Sequence, residues 1–286
     1  MTADWKPVLD RLDTLLAQLE RLAPPSAREP EWKAATAFRW RKHARGGYLE
    51  AVLHPHTIRF SDLKDIDEQK KRLRENTAQF VERRPANNVL LTGARGTGKS
   101  SLVKAALAEF AGRGLRLIEV DKRDLVDLPD IVDIVAGRKE RVIIFCDDLS
   151  FEASDAGYKS LKVALDGSIA GSAENVLIYA TSNRRHLMPE FMDENLEARH
   201  VGGEIHPGET TEEKISLSER FGLWLSFYPF DQDQYLDIAD HWVNTLGGKA
   251  SEESRKAALL WSLERGFRSG RVAWQFARDW VGRKKK

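Results

Sequence analysis

Two hydrophobic rhythms alternate along the chain from residue 88. The segments NVLLTG (88–93), LRLIEVD (115–121), RVIIFCDD (141–148) and NVLIYATSN (175–183) are short, nearly unbroken apolar runs that end on glycine or polar residues. Such runs suit strands covered on both faces of a sheet. Between them, GKSSLVKAALAEFAG, LPDIVDIVAG and YKSLKVALDGSIAG space their apolar residues as helices do, and the last two close on Gly137 and Gly171. Strand alternating with helix predicts an α/β fold, a three-layer parallel sheet with right-handed crossovers. After a long polar stretch LWLSFYPF (223–230) supplies a fifth strand, and residues 231–286 show helical spacing only, broken at GGKAS and RSG.

Upstream of residue 60 the pattern is different. Trp5, Val8, Leu12, Leu15, Leu19 and Leu22 recur at spacings of three and four, the stripe of a helix that Asp4 can cap. That stripe packs on its own protein or forms a short coiled coil with another chain. APPSAREP (23–30) ends the helix and reads as a linker. In FRWRKHAR (38–45) cations alternate with Phe38 and Trp40, which reads as a helix with a solvated basic face and inward aromatics. The competing reading is a surface that stacks bases and neutralises phosphates. The predicted layout is an N-terminal helical accessory region over 1–59, a core of about five strands over 60–230 and a small helical unit over 231–286. A chain lacking residues 1–45 is on this reading still a folded core.

Composition narrows the classes. Lys and Arg number 45 against 44 Asp and Glu, a net charge of +1, so no global field draws the molecule to nucleic acid or membrane. Cys146 is the single cysteine, which excludes an internal disulfide and a cysteine-rich zinc site. The opening MTADWKPVLD lacks the basic start and apolar run of a signal peptide, and no apolar segment is long enough for a bilayer. A cytoplasmic protein without a membrane partner is expected.

The chemistry concentrates at GARGTGKS (93–100), which fits G-x-x-x-x-G-K-[ST] between a predicted strand and a predicted helix. Gly93, Ala94, Arg95, Gly96, Thr97 and Gly98 form the loop, and Lys99, Ser100 and Ser101 open the helix. Glycines let the backbone N–H groups curl around phosphates, Lys99 reaches the β and γ phosphates, and Ser100 ligates Mg²⁺. Asp147 and Asp148 end the third apolar run, at the edge where open parallel sheets bind ligands. Asp147 is the candidate for holding Mg²⁺ through water; Asp148 orients the attacking water or caps the following helix. Asn183 ends the fourth run and offers one hydrogen bond to the γ-phosphate or the water. Cys146 reads as strand core.

This succession resembles the AAA+ ATPases: Walker A at 93–100, Walker B at 142–148 and a sensor-1 Asn183, followed by SERFG (218–222) and RSGRVAWQF (268–276). SERFG is similar to the arginine-finger segment of bacterial AAA+ motors such as the Holliday-junction branch-migration helicases, which implies that Arg220 is the finger. RSGR resembles sensor 2, which implies a phosphate contact from Arg271 on a helical lid. DLKDIDEQKKRL (62–73) stands where such proteins line the adenine site. PANNVLLTGARGTGKSSLVKA, IFCDDLSFE and ATSNRRHLMPE look like a bacterial AAA+ family known chiefly as a domain of unknown function. Walker B in the superfamily usually ends Asp-Glu. Here the second acid is Asp148, one methylene shorter, and Glu152 is the alternative base.

The resemblance implies ATP as substrate, Mg²⁺ as cofactor, and a homo-oligomer with nucleotide at its subunit interfaces that acts on an unidentified protein or nucleic acid. A slow-hydrolysing, nucleotide-dependent binding module and a P-loop small-molecule kinase are the alternatives. A GTPase is set aside, because DKRD (121–124) has the wrong first residue for guanine recognition and lies too early.

Overall fold

The computed structural model describes residues 30–283 except 31, 44–45, 56, 152–155, 167–172, 184–198, 202–203 and 207–216, and before residue 30 only Lys6 and Arg11. The Trp5 to Leu22 stripe, Glu152 and the three terminal lysines therefore lie outside the described residues.

All five predicted strands form. They are β3 (Val89–Gly93), β4 (Leu115–Val120), β5 (Arg141–Cys146), β6 (Val176–Ser182) and β9 (Leu223–Phe227), and they pair in parallel in the order β4-β5-β6-β3-β9. Their alternate residues feed two separate apolar cores, as the period of two in a strand requires. Val89, Leu91, Ile143, Phe145, Leu177 and Tyr179 enter one cluster; Leu90, Val142, Ile144, Cys146, Ile178 and Ala180 enter the other. The first face is covered by α1 (Asp67–Val81) and α2 (Lys99–Phe110). The second is covered by α3 (Leu128–Val135) and α4 (Ala156–Asp166).

The sheet has seven strands rather than five. β1 (Ala37–His43) and β2 (Gly46–Ala51) form an antiparallel hairpin whose first strand pairs in parallel with β4. The helix expected over 38–45 is thus a strand. Phe38 and Trp40 are 0% and 3% exposed on the side of the second core. The cations between them are matched by acids on other elements: Arg39 with Glu119 on β4 at 2.8 Å, Arg41 with Glu50 on β2 at 2.7 Å, and Lys42 with Asp127 at 2.9 Å. The Trp40 indole N–H also donates to Asp127, at 3.0 Å. Buried in this way, Phe38 and Trp40 offer no ring face to a base.

The sheet accordingly starts at residue 37, upstream of the predicted boundary at 60. A further antiparallel pair, β7 (Arg199–Val201) with β8 (Glu204–His206), lies within the long polar stretch before LWLSFYPF. The chain ends in α5 (Gln232–Thr245), α6 (Glu252–Glu264) and α7 (Gly270–Arg283), the helical unit expected there. Capping boxes at Asp231 with Gln234 and at Ser251 with Ser254 start the first two, and the Tyr235 hydroxyl donates to the Ala258 carbonyl at 3.0 Å. Apolar residues of α5 and α7, among them Tyr235, Ile238, Val243, Val272 and Phe276, belong to the same cluster as α1 and α2.

Removal of residues 1–45 strips β1 from β4, so the folded truncation expected from sequence gives way to the opposite outcome: loss of a cooperative urea transition. Phe38→Ala alone is expected to cost about 3–5 kcal/mol, read as a shift of the urea midpoint.

Candidate functional site

The loop after β3 is shaped by close approaches that a side chain would prevent. A Cβ on Gly93 (φ 120°) would lie 1.9 Å from the Phe227 carbonyl oxygen of the neighbouring β9, and Ala94 N donates to that oxygen at 3.1 Å. Gly96 (φ 73°) faces the start of α7, where a Cβ would meet Ser269 at 2.8 Å. The Gly270 amide donates to the Gly96 carbonyl at 2.8 Å, a backbone bond from the C-terminal helices to the loop. Thr97 is buried and its hydroxyl donates to the Ala94 carbonyl at 2.8 Å. Gly98 holds a left-handed conformation (φ 99°) at the N-terminus of α2, and Leu63 and Ile66 stand within 3.7 Å of where its Cβ would be. These two apolar residues come from the segment expected to line the adenine site.

Lys99 opens α2 with its side chain folded back on the loop. Its ammonium donates to the Gly93 and Ala94 carbonyls at 2.8 and 2.7 Å and to Asn183 Oδ1 at 2.9 Å. Burial pushes it down to about 8, while the carboxylates of Asp148 and Asp147 pull it back up. Ser100 donates to Asp147 Oδ1 at 2.6 Å, and Asn183 Nδ2 donates to Asp148 Oδ1 at 2.5 Å. Ser101 is half-buried in the same first turn, and Arg95 is exposed at the loop tip. The first N–H groups of α2 have no partner within the helix and carry its positive dipole end. The cluster therefore holds two hydrogen-bonded links, Lys99 to Asn183 to Asp148 and Ser100 to Asp147, side by side at the carboxyl ends of β3, β5 and β6.

Arg271 follows Gly270 on α7, exposed, with its Cβ 3.6 Å from the position of a Gly96 Cβ, so the C-terminal helices bring it to the loop. Arg220 is not brought there. It precedes β9, whose Leu223 is level with Val89 and whose Phe227 is level with Gly93. It therefore stands at the opposite edge of the sheet, about 13 Å or more from the loop at ~3.3 Å per residue. Its Nε donates to Asp166, the last residue of α4, at 2.6 Å. Cys146 is fully buried and burial pushes its thiol up to about 12, as befits strand core.

Two residues of the site were not singled out from sequence. Thr181 on β6 accepts from the Asp148 amide at 2.9 Å and donates to Asp147 Oδ1 at 2.6 Å. Ser269, 1% exposed, accepts from the Val272 amide at 3.2 Å and so caps α7 against the loop. The signals were slight: a hydroxyl two residues before Asn183 and one two residues before Arg271.

The donor set fits a magnesium polyphosphate. An ammonium, an exposed arginine and a helix N-terminus surround the loop, and a hydroxyl and a carboxylate already share a hydrogen bond where a divalent ion would take the hydroxyl directly and the carboxylate through water.

The chain belongs to the family described as Protein of unknown function (DUF815), which matches residues 33–284 and so takes in the β1–β2 hairpin. No curated protein matches it in sequence. Among solved structures it is similar to a variant of RuvB from Thermotoga maritima (15% identity, TM-score 0.53), covering 77% of this chain and 63% of that one. The AAA domain of FIGL-1 in complex with ADP matches at 16% identity and TM-score 0.52, over 80% of this chain and 76% of that one. The ORC1 protein of Aeropyrum pernix in complex with DNA matches at 16% and 0.53, over 78% and 61%. The chain thus spans less than two thirds of the RuvB and ORC1 chains. The fold is that of the AAA+ ATPases.

Below pH 8 Lys99 is charged with or without ligand; above it, binding must first restore the proton. ADP affinity is therefore expected to be level below about pH 8 and to fall by up to tenfold per pH unit above it, measured by calorimetry. Lys99→Met is expected to bind weakly and without that slope. Gly93→Ala, which collides with backbone, is expected to abolish binding.

Proposed function

We propose that the protein is an AAA+ ATPase that binds ATP with Mg²⁺ in the 93–101 loop, hydrolyses it, and couples nucleotide state to the remodelling or recruitment of a macromolecule. The observation that carries this reading is the hydrogen-bonded chain joining Lys99, Asn183 and Asp148 beside Ser100 and Asp147. Lys99 would neutralise the β and γ phosphates, Ser100 and Asp147 would hold Mg²⁺, and Arg271 would bind phosphate from the C-terminal helices. Mg²⁺, held by Ser100 and Asp147, would supply charge neutralisation on the phosphates. Asp148 orients a water and takes its proton as the water oxygen attacks the γ phosphorus and the bond to the β–γ bridging oxygen breaks; Asn183 fixes Asp148 and the water.

Arg220 is proposed to complete the site of a neighbouring copy. It lies too far from its own loop to serve there, and a guanidinium placed against the γ-phosphate of another subunit contributes about 10³ or more in rate. The fold resemblance to RuvB, together with the SERFG segment, supports this reading. The ion pair of Arg220 with Asp166 at 2.6 Å favours a second reading, a binding module that holds ATP and turns it over slowly without trans activation.

Lys99→Ala is expected to lose ATP binding or turnover, and Asp148→Asn to hold ATP while cleaving it slowly. Mixing decides between the two readings. Lys99→Ala subunits keep a finger without a usable site and Arg220→Ala subunits keep a site without a finger, so the mixture should regain ATPase activity that neither has alone. No recovery despite co-assembly leaves the binding module.

A further inference from the structure

Beyond the end of β5 the backbone stays clipped to β6. Leu149 N donates to the Thr181 carbonyl at 2.7 Å, and the Ser182 hydroxyl donates to the Leu149 carbonyl at 2.8 Å. Between these two bonds the single hydroxyl of Thr181 serves both acids, donating to the Asp147 carboxylate at 2.6 Å and accepting from the Asp148 amide at 2.9 Å. Thr181, Ser182 and Leu149 are 2%, 0% and 0% exposed, so water does not compete for these bonds. The clipped peptide carries Asp148 in a left-handed conformation, φ 54°.

That conformation is selective. Among residues with a side chain, Asp and Asn enter it with the smallest penalty, while longer side chains are uncommon there. It also leaves the short carboxylate in contact with Asn183 Nδ2, at 2.5 Å. A glutamate on the same backbone would carry an extra methylene past that contact. The shorter acid is thus matched to the backbone that bears it.

We propose that Thr181 is the positioning residue of the acid pair, and that the clamp it forms fixes aspartate rather than glutamate at position 148. The inference rests on the reading of Asp147 and Asp148 as the magnesium-holding and water-orienting acids. Thr181 touches neither substrate nor metal in this account. It acts through the carboxylate it orients and the peptide it anchors.

The test uses the full chain and two readouts: turnover at saturating ATP, and the Mg²⁺ concentration giving half of the ADP-induced rise in melting temperature. Thr181→Val keeps the shape and removes the hydroxyl. It is expected to slow turnover about tenfold or more, as loss of a group that sets catalytic geometry does, and to need several times more Mg²⁺. Thr181→Ser restores the hydroxyl and should return both readouts close to wild type. Asp148→Glu is expected to cleave ATP more slowly than wild type and to melt a few degrees lower, since the longer side chain is strained on the left-handed backbone. Thr181→Val matching wild type in both turnover and Mg²⁺ requirement overturns the proposal, even if its melting temperature falls, because a merely structural threonine behaves that way. Asp148→Glu equal to or faster than wild type also overturns it. Should wild type bind Mg²⁺ and ADP without measurable cleavage, the Mg²⁺ requirement of Thr181→Val against Thr181→Ser decides the matter alone. A wild-type protein whose melting temperature does not respond to Mg²⁺ and nucleotide removes the reading of the site itself, and the inference with it.

Discussion

The parallel register of β3 with its two neighbours is the constraint from which the site follows. Thr92 is level with Ser182 on β6 on one side, and Gly93 with Phe227 on β9 on the other. Cys146 on β5 is level with Ala180, so the next residues on each, Asp147 and Thr181, also meet. Each strand stops within one or two residues of its neighbour, and the polar groups that follow are delivered to one edge. Shifting any of these strands by one residue would turn its apolar set toward the wrong core as well as moving its polar end. Burial and site geometry are therefore enforced by the same pairing.

Much of this was legible because the physics that makes the strands also marks them. Runs such as VIIFC are apolar throughout since both faces are covered, and their ends are where polarity returns. The loop was legible because Gly93 and Gly96 approach other backbone and side chains so closely that only glycine fits. Thr181 was not, because its importance depends on which strand lies beside β6 and in what register. No spacing within ATSN records that.

The segment 38–45 shows the opposite case, a pattern present in the sequence and outweighed by charge. Phe38 and Trp40 alternate with Arg39 and Arg41, a period of two, but the cations suggested a solvated helix face. Arg41 finds Glu50 nine residues away, but the partners of Arg39 and Lys42, Glu119 and Asp127, lie some eighty residues on, so most of the neutralisation that lets these cations line a sheet is invisible locally. Arg220 and Asp166 pose the same difficulty, 54 residues apart. An arginine's partner, in this chain or in another, is a property of the assembled structure.

The C-terminal helices share one apolar cluster with α1 and α2 on the sheet. If they swung away like a door on a hinge, that shared core would open to water, at roughly 25 cal/mol for every Å² of apolar surface exposed. A small slide of α7 along its neighbours keeps the core closed, and packed helices tolerate such shear. The backbone hydrogen bond from Gly270 to Gly96 would carry a slide of that kind directly to the loop. A displacement of α7 smaller than a helical turn would therefore reach the loop through this peptide contact and the side chains beside it.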